Sequence, residues 1–294
     1  MSAISLDGVF TAMVTPFDAS GQIDQPAIAR LLAFNEACGM DGVVVSGTNG
    51  EGASLSPIER VQLYELACAT RGRLKIIAGT ATCSLPEAVY LAKQAKRAGC
   101  DALLVLPPYF FKNYTQDGLY EFYRALLEST DLPVILYHIP RITHIRIEPN
   151  LVERLLGYPN LLGVKDSEGD PETVAAYLSM APRLRLYIGQ EEGLLAALQR
   201  GAAGSISGAA NVFPELVSGI FRAFKEGRDA QNYQDRLSEA LAVWRKLPFP
   251  AASKFALSLR GLPFSKVRPP LSDLTPDQEE TVRSFMAEFM GVTA

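Results

Sequence analysis

The chain has 294 residues, about twice the ~150 that serve as a soft one-domain prior, and single α/β barrels reach roughly 200–250. A hydrophobic fraction of 48% with 20% charged residues suits a globular protein with a sizeable core and excludes disorder over most of the chain. Twenty-eight Lys and Arg against 32 Asp and Glu leave a net charge of −4 with no like-charge run, which excludes nucleic acid and an anionic membrane and leaves a small molecule as the expected partner. No stretch reaches roughly 18 uninterrupted apolar residues, and the start MSAISLDGVF lacks the basic region and long apolar core of a signal peptide, so a cytoplasmic protein is expected. Cys38, Cys68, Cys83 and Cys100 are widely spaced, and only His138 and His144 offer imidazole. Neither a zinc site nor a disulfide framework is suggested, and four buried reduced thiols are expected.

Short apolar runs alternate with helical patterns at intervals of roughly 25–30 residues. Val9–Thr15 comes first, then a helix announced by Asp24 before Gln25-Pro26 and closed by Gly39. Gly42–Ser46 follows, with Ser56 before Pro57-Ile58-Glu59 and a stop at Gly72. Lys75–Gly79 leads to Ser84, with Glu87 three residues on, and to Gly99. Ala102–Leu106, Val134–His138 and Leu162–Lys165 are the next runs, followed by Asp170 before Pro171-Glu172. Arg185–Ile188, a helical segment ending at Gly201, and Gly204–Ser207 complete the series. A capping side chain satisfies an otherwise orphaned amide, and Pro at the first helical position sacrifices one unpaired anyway; glycine closes helices.

Most of the runs are continuously apolar, as strands covered on both faces by helices should be. Eight such units predict an α/β (β/α)₈ barrel over residues 1–226. Beyond it, Asp229–Lys246, Ala251–Arg260 and Pro276–Met290 read as helices, giving a C-terminal helical extension over residues 227–294.

A barrel of this kind carries its active site at the C-terminal ends of the strands. Lys165 follows Leu161-Leu162-Gly163-Val164. Desolvation at a buried strand end disfavours the ammonium and would make it a neutral nucleophile for a carbonyl; a lysine snorkelling out to Asp166 or Glu168 is the alternative. Tyr137 is a candidate proton carrier or a packed core aromatic. Gly47-Thr48-Asn49-Gly50-Glu51 is a glycine-bounded turn whose amides can form a nest for a carboxylate or phosphate, with the Thr48 hydroxyl as a further donor or proton relay. Gly189, Gln190, Ile206, Ser207 and Gly208 end the last two strands and are candidate substrate contacts.

Together, Thr48-Asn49-Gly50-Glu51, Tyr137-His138-Ile139-Pro140 and Gly163-Val164-Lys165-Asp166 resemble the dihydrodipicolinate synthase / N-acetylneuraminate lyase family. The resemblance runs from Gly8-Val9-Phe10-Thr11 to Arg268-Pro269-Pro270-Leu271. It implies a class I pyruvate-dependent lyase or aldolase in which Lys165 forms the Schiff base and Tyr137 shuttles the proton. Thr48 would link that tyrosine to substrate, and the amides of Thr48 and Asn49 would bind the keto-acid carboxylate. The imine is itself the electron sink, so no metal or other cofactor is expected. Pyruvate and an aldehyde, or a 2-keto-3-deoxy acid, are the implied small molecules, and a homotetramer built from dimers is the implied assembly.

Where synthases that condense pyruvate with aspartate semialdehyde carry an arginine five residues after the catalytic tyrosine, this chain has Ile142, with Arg141 displaced by one. Asn49 replaces a second threonine, and Phe110 replaces a tyrosine that reaches across the dimer; Tyr109 and Tyr114 are the nearby phenols able to substitute. Leu106-Pro107-Pro108-Tyr109-Phe110-Phe111 and Gly52-Ala53-Ser54-Leu55-Ser56-Pro57 look more like the 2-keto-3-deoxygluconate aldolase branch. His138 stands where asparagine is usual, and alternation along the strand points it away from the barrel axis. His144 stands where glycine is common. The expected activity is reversible cleavage of a 2-keto-3-deoxy sugar acid. Dihydrodipicolinate synthase activity, dehydration through the same imine and a non-catalytic keto-acid-binding barrel are the alternatives.

Overall fold

The protein is described by a computed structural model over residues 6–263 and 265–292. Eight parallel strands, β1 (Gly8–Ala12), β2 (Gly42–Val45), β3 (Lys75–Gly79), β4 (Ala102–Val105), β5 (Val134–His138), β6 (Leu161–Asp166), β7 (Arg185–Ile188) and β8 (Gly204–Ser207), close into a barrel in chain order. Closure is the β1–β8 ladder, with Gly8 opposite Gly204 and Thr11 opposite Ser207. This is the predicted (β/α)₈ barrel. Strand ends differ where side chains take over from the ladder. β1 stops at Ala12, because the Val14 amide donates to the Asn211 side chain at 3.0 Å and the Thr15 hydroxyl to the Gly50 carbonyl at 2.7 Å. β6 runs on through Asp166, which pairs with His138 on one side and Ile188 on the other.

The helices are α1 (Gln25–Ala37), α2 (Pro57–Thr70), α3 (Leu85–Ala98), α4 (Gln116–Ser129), α5 (Pro140–Thr143), α6 (Pro149–Leu155), α7 (Pro171–Leu178), α8 (Leu194–Gln199) and α9 (Pro214–Lys225). After them come α10 (Gln231–Trp244), α11 (Ala251–Leu259) and α12 (Pro276–Val292). Asp24, Ser56, Ser84 and Asp170 cap α1, α2, α3 and α7, each accepting from the amide three residues on. Of these four, Ser56 completes a reciprocal capping box and Ser84 does not, because the Glu87 carboxylate that would close the second pairs with Arg60 at 2.7 Å. Gly99 ends α3 at φ 89°, a left-handed conformation that costs glycine least.

Two apolar layers follow from the period of two along each strand. Phe10, Val44, Ile77, Leu104, Ile135, Tyr137, Tyr187 and Ile206 fill the barrel. Their neighbours Val9, Val43, Val45, Leu103, Leu136 and Leu186 pack outward against the helices. Tyr137 thus belongs to the inner layer, at its C-terminal end.

The thiols depart from expectation. Cys100 alone is buried, while Cys38, Cys68 and Cys83 are half-buried, because they sit at helix flanks and a loop rather than in the core. Among the described residues, no helix is long and apolar enough to cross a membrane.

Candidate active site

The C-terminal ends of the strands open into a cavity of about 410 Å³ lined by Thr48, Asn49, Tyr137, Lys165, Gly189 and Ile206, among others. Strand register builds its reactive corner. Tyr137 on β5 stands directly beside Lys165 on β6, both side chains point inward, and each residue is 4% exposed. The Lys165 Nζ lies 4.2 Å from the centroid of the Tyr137 ring. A glycine makes room for this lysine: a Cβ at Gly189 would fall 3.1 Å from Lys165 Cε and 2.1 Å from Ser167 Oγ.

Burial pushes the Tyr137 phenol up, but the Lys165 charge and hydrogen bonding with Ser167, Thr48 and Lys165 outweigh it, leaving the phenol below its ordinary 10.0. A phenol tuned this way gives up and recovers a proton more readily than a free tyrosine.

The turn after β2 supplies the donors. Among the described residues the amides of Thr48 and Asn49 have no protein acceptor, and the buried Asn49 Nδ2 is likewise unpartnered. The turn is bracketed by two left-handed residues, Ser46 at φ 51° and Glu51 at φ 53°, a strained conformation held by its surroundings. The Ser46 hydroxyl donates to the Gly79 carbonyl at 2.7 Å. The Glu51 carboxylate contacts the Lys254 ammonium on α11 at 2.5 Å and accepts from the Arg268 amide at 2.8 Å.

Ser207 does not line the cavity. Ile206 faces the barrel, so its neighbour faces outward, and the Ser207 hydroxyl donates to Glu191 at 2.8 Å. The same buried carboxylate takes the amides of Gly208 and Ala209 at 2.9 and 3.1 Å, donors that would otherwise serve a substrate anion. Gln190 also turns away, donating to the Glu168 carbonyl at 3.2 Å. Tyr109 and Tyr114 lie outside the cavity lining, and Phe110 is 72% exposed. Arg141 and Ile142 both line the mouth.

Several lining residues escaped the sequence reading. Ser167 stands two positions after Lys165, where alternation returns a side chain to the same face, and that signal was available. Glu191 and the wall formed by Leu241, Trp244, Arg245, Leu247 and Phe249 gave none, since helices that pack after the barrel closes carry no local mark of which face meets the site. Among the described residues no group of three or more His, Cys, Asp or Glu is placed to hold a metal ion.

Known proteins resemble this chain over nearly its whole length. The dihydrodipicolinate synthetase family matches residues 5–288. A 4-hydroxy-tetrahydrodipicolinate synthase of Hyphomonas neptunium is 36% identical over 95% of this chain and 97% of its own. The crystal structure of dihydrodipicolinate synthase DapA-2 from Bacillus anthracis superposes with a TM-score of 0.90 at 33% identity, covering 96% of this chain and 98% of that one. YagE of E. coli K12, a member of the same family solved in complex with pyruvate, gives 0.92 at 26% identity over 97% and 99%.

Proposed function

The chain belongs to the dihydrodipicolinate synthetase family, whose members are class I pyruvate-dependent lyases, and from that premise we propose that it reversibly cleaves a 2-keto-3-deoxy sugar acid to pyruvate and an aldehyde. The observation that carries the proposal is one cavity holding Lys165 against Tyr137 with the amides of Thr48 and Asn49, which are unpartnered among the described residues. Those amides take the substrate carboxylate, placing C2 at the lysine. The Lys165 amine adds to C2, and as water leaves the Tyr137 phenol gives up its proton, so that a protonated imine and a phenolate result. Tyr137, as phenolate, removes the proton of the C4 hydroxyl. The C3–C4 bond then breaks, its electron pair flowing to C3 and into the imine, and the aldehyde departs. Tyr137 returns the proton to C3, and water hydrolyses the imine to release pyruvate. Thr48, hydrogen-bonded to the tyrosine, relays protons, and Gly189 and Ile206 shape the floor. The imine supplies the electron sink, so no metal is needed.

The experiment is a retro-aldol assay over a panel of 2-keto-3-deoxy sugar acids, with pyruvate release coupled to a dehydrogenase. Turnover of at least one, lost in Lys165→Ala, supports the proposal; full activity in that variant overturns it. A second reading, condensation of pyruvate with aspartate semialdehyde, is favoured by Arg141 at the mouth, where its guanidinium could meet a second carboxylate. Ile142, 54% exposed, and Phe110 weigh against it, since neither offers the polar group that this chemistry uses. The same family reading carries a homotetramer of paired dimers, which sedimentation velocity tests.

A further inference from the structure

We propose that His138 is a positioning residue for the Lys165–Tyr137 pair, acting through Asp166 on the outer face of the barrel. The inference rests on the lyase reading above for its activity readout, though not for its geometry. In the β5–β6 register Tyr137 stands opposite Lys165 and His138 opposite Asp166. Alternation sends the first pair into the cavity and the second toward the helices. His138 and Asp166 are completely or almost completely buried, and His138 Nδ1 lies 3.0 Å from Asp166 Oδ1.

The neighbouring phenol fixes which imidazole nitrogen carries the proton. Burial, reinforced by the Asp166 charge, pushes the Tyr177 phenol well above its ordinary value, so the group keeps its single proton at neutral pH. That proton goes to the Ile147 carbonyl. At 3.3 Å from His138 Nδ1, the Tyr177 oxygen can then only accept, and Nδ1 must be the N–H. The same nitrogen lies within ion-pair distance of Asp166 Oδ1, an oxygen with no hydrogen-bond partner among the described residues, and the imidazole lies edge-on to the Tyr177 ring at 5.9 Å.

Asp166 extends this anchor to the cavity wall. Its Oδ2 accepts from the Gly169 amide at 2.8 Å, and its carbonyl from Gly189 at 2.7 Å, while the His138 carbonyl accepts from Ser167 at 2.9 Å. One outward-facing pair therefore ties together β5, β6, the loop after β6 and the residue that follows β7. Tyr137 and Lys165 are each the immediate neighbour of one member, so neither strand end can shift without moving a reacting side chain. Misplacement of reacting groups by about 1 Å costs roughly 100-fold in rate, which gives such an anchor a catalytic consequence without substrate contact.

The test uses the full chain and borohydride trapping with pyruvate, measured as a saturating rate and a half-saturating concentration. His138→Leu removes the donor and should lower the saturating rate by about tenfold or more, with half-saturation changed less than about twofold because the Thr48–Asn49 turn is untouched. His138→Asn, which keeps a donor at the δ position, should stay within about threefold of the parent rate. A purely structural role would lower the melting temperature while leaving the trapping rate of the folded protein at the parent value, and that result overturns the proposal. Should His138→Leu fail to fold, His138→Gln moves the donor outward by one bond; trapping at the parent rate would likewise overturn it. A crystal structure of the variant gives the second readout: a Lys165–Tyr137 contact unchanged from 4.2 Å contradicts positioning. If the parent protein traps no pyruvate, the lyase reading fails, and positioning is then judged from that structure.

Discussion

Two buried lysines lie in two regions of this molecule, the mouth of the barrel and its joint with the C-terminal helices, and their surroundings differ in one respect. Lys165 and Lys254 are 4% and 2% exposed, and each ammonium sits over an aromatic face, Tyr137 at 4.2 Å and Phe17 at 4.3 Å. Lys254 also meets the Glu51 carboxylate at 2.5 Å and donates to the Lys266 carbonyl at 2.8 Å. Among the described residues Lys165 has no carboxylate partner, and its polar neighbour is the Tyr137 phenol. Burial lowers the Lys254 pKa, and Glu51 opposes that shift, so the pair holds a charge where charge is structural. A lysine that must alternate between amine and imine is better served by a partner that exchanges protons than by a fixed anion. Burial alone therefore does not identify a nucleophilic lysine; the partner does.

The sharpest way to break the comparison is to remove each lysine. Lys165→Ala should abolish pyruvate-lyase turnover by about a thousandfold or more while leaving the fold intact, read by steady-state assay and circular dichroism. Tyr137→Phe should lower turnover by roughly 10²–10⁴-fold yet still form the imine, detected as a borohydride adduct. Lys254→Met should act on stability instead. It strands the Glu51 carboxylate in the core, at a cost of about 3–5 kcal/mol in urea unfolding, and adding Glu51→Leu should recover much of it. Both variants should still trap pyruvate, with half-saturation raised because Glu51 ends the Thr48–Asn49 turn; a loss as large as that of Lys165→Ala would erase the distinction.

The smallest expected effect concerns the same joint. Arg268 holds Glu59 at 2.6 Å, and this hydrogen bond lowers the carboxyl from its ordinary 4.5 to about 2 against the opposing effect of burial. A carboxyl depressed on folding contributes stability that is complete above its unfolded pKa and lost as pH falls through its folded one. The contribution should thus fade between pH 4.5 and about 2. Glu59→Gln should flatten that part of the stability–pH curve, and an unchanged acid slope would remove this contact from the joint.

How much of this was legible in the sequence depends on whether a signal is local. The strands were readable because burial on both faces leaves runs such as Ala102–Val105 without polar alternation. Lys165 was readable as a charge ending an apolar run, and the outward turn of His138 followed from alternation. The same rule applied to β8 separates Ile206 from Ser207, but nothing in Gly-Ser-Ile-Ser indicates which residue faces inward. Glu191 and Lys254 were out of reach, since their partners Arg245 and Glu51 lie 54 and more than 200 residues away along the chain. Trp244 joins the cavity wall only through the docking of α10, a tertiary event without a local pattern.

The imine chemistry requires that Lys165, and not Lys254, carry the substrate. Incubation with pyruvate and borohydride, followed by intact mass and peptide mapping, reads this directly. One stable adduct is expected, on the peptide that contains Lys165, and none in Lys165→Ala. An adduct on Lys254, or no adduct on a folded protein, would contradict the assignment of Lys165.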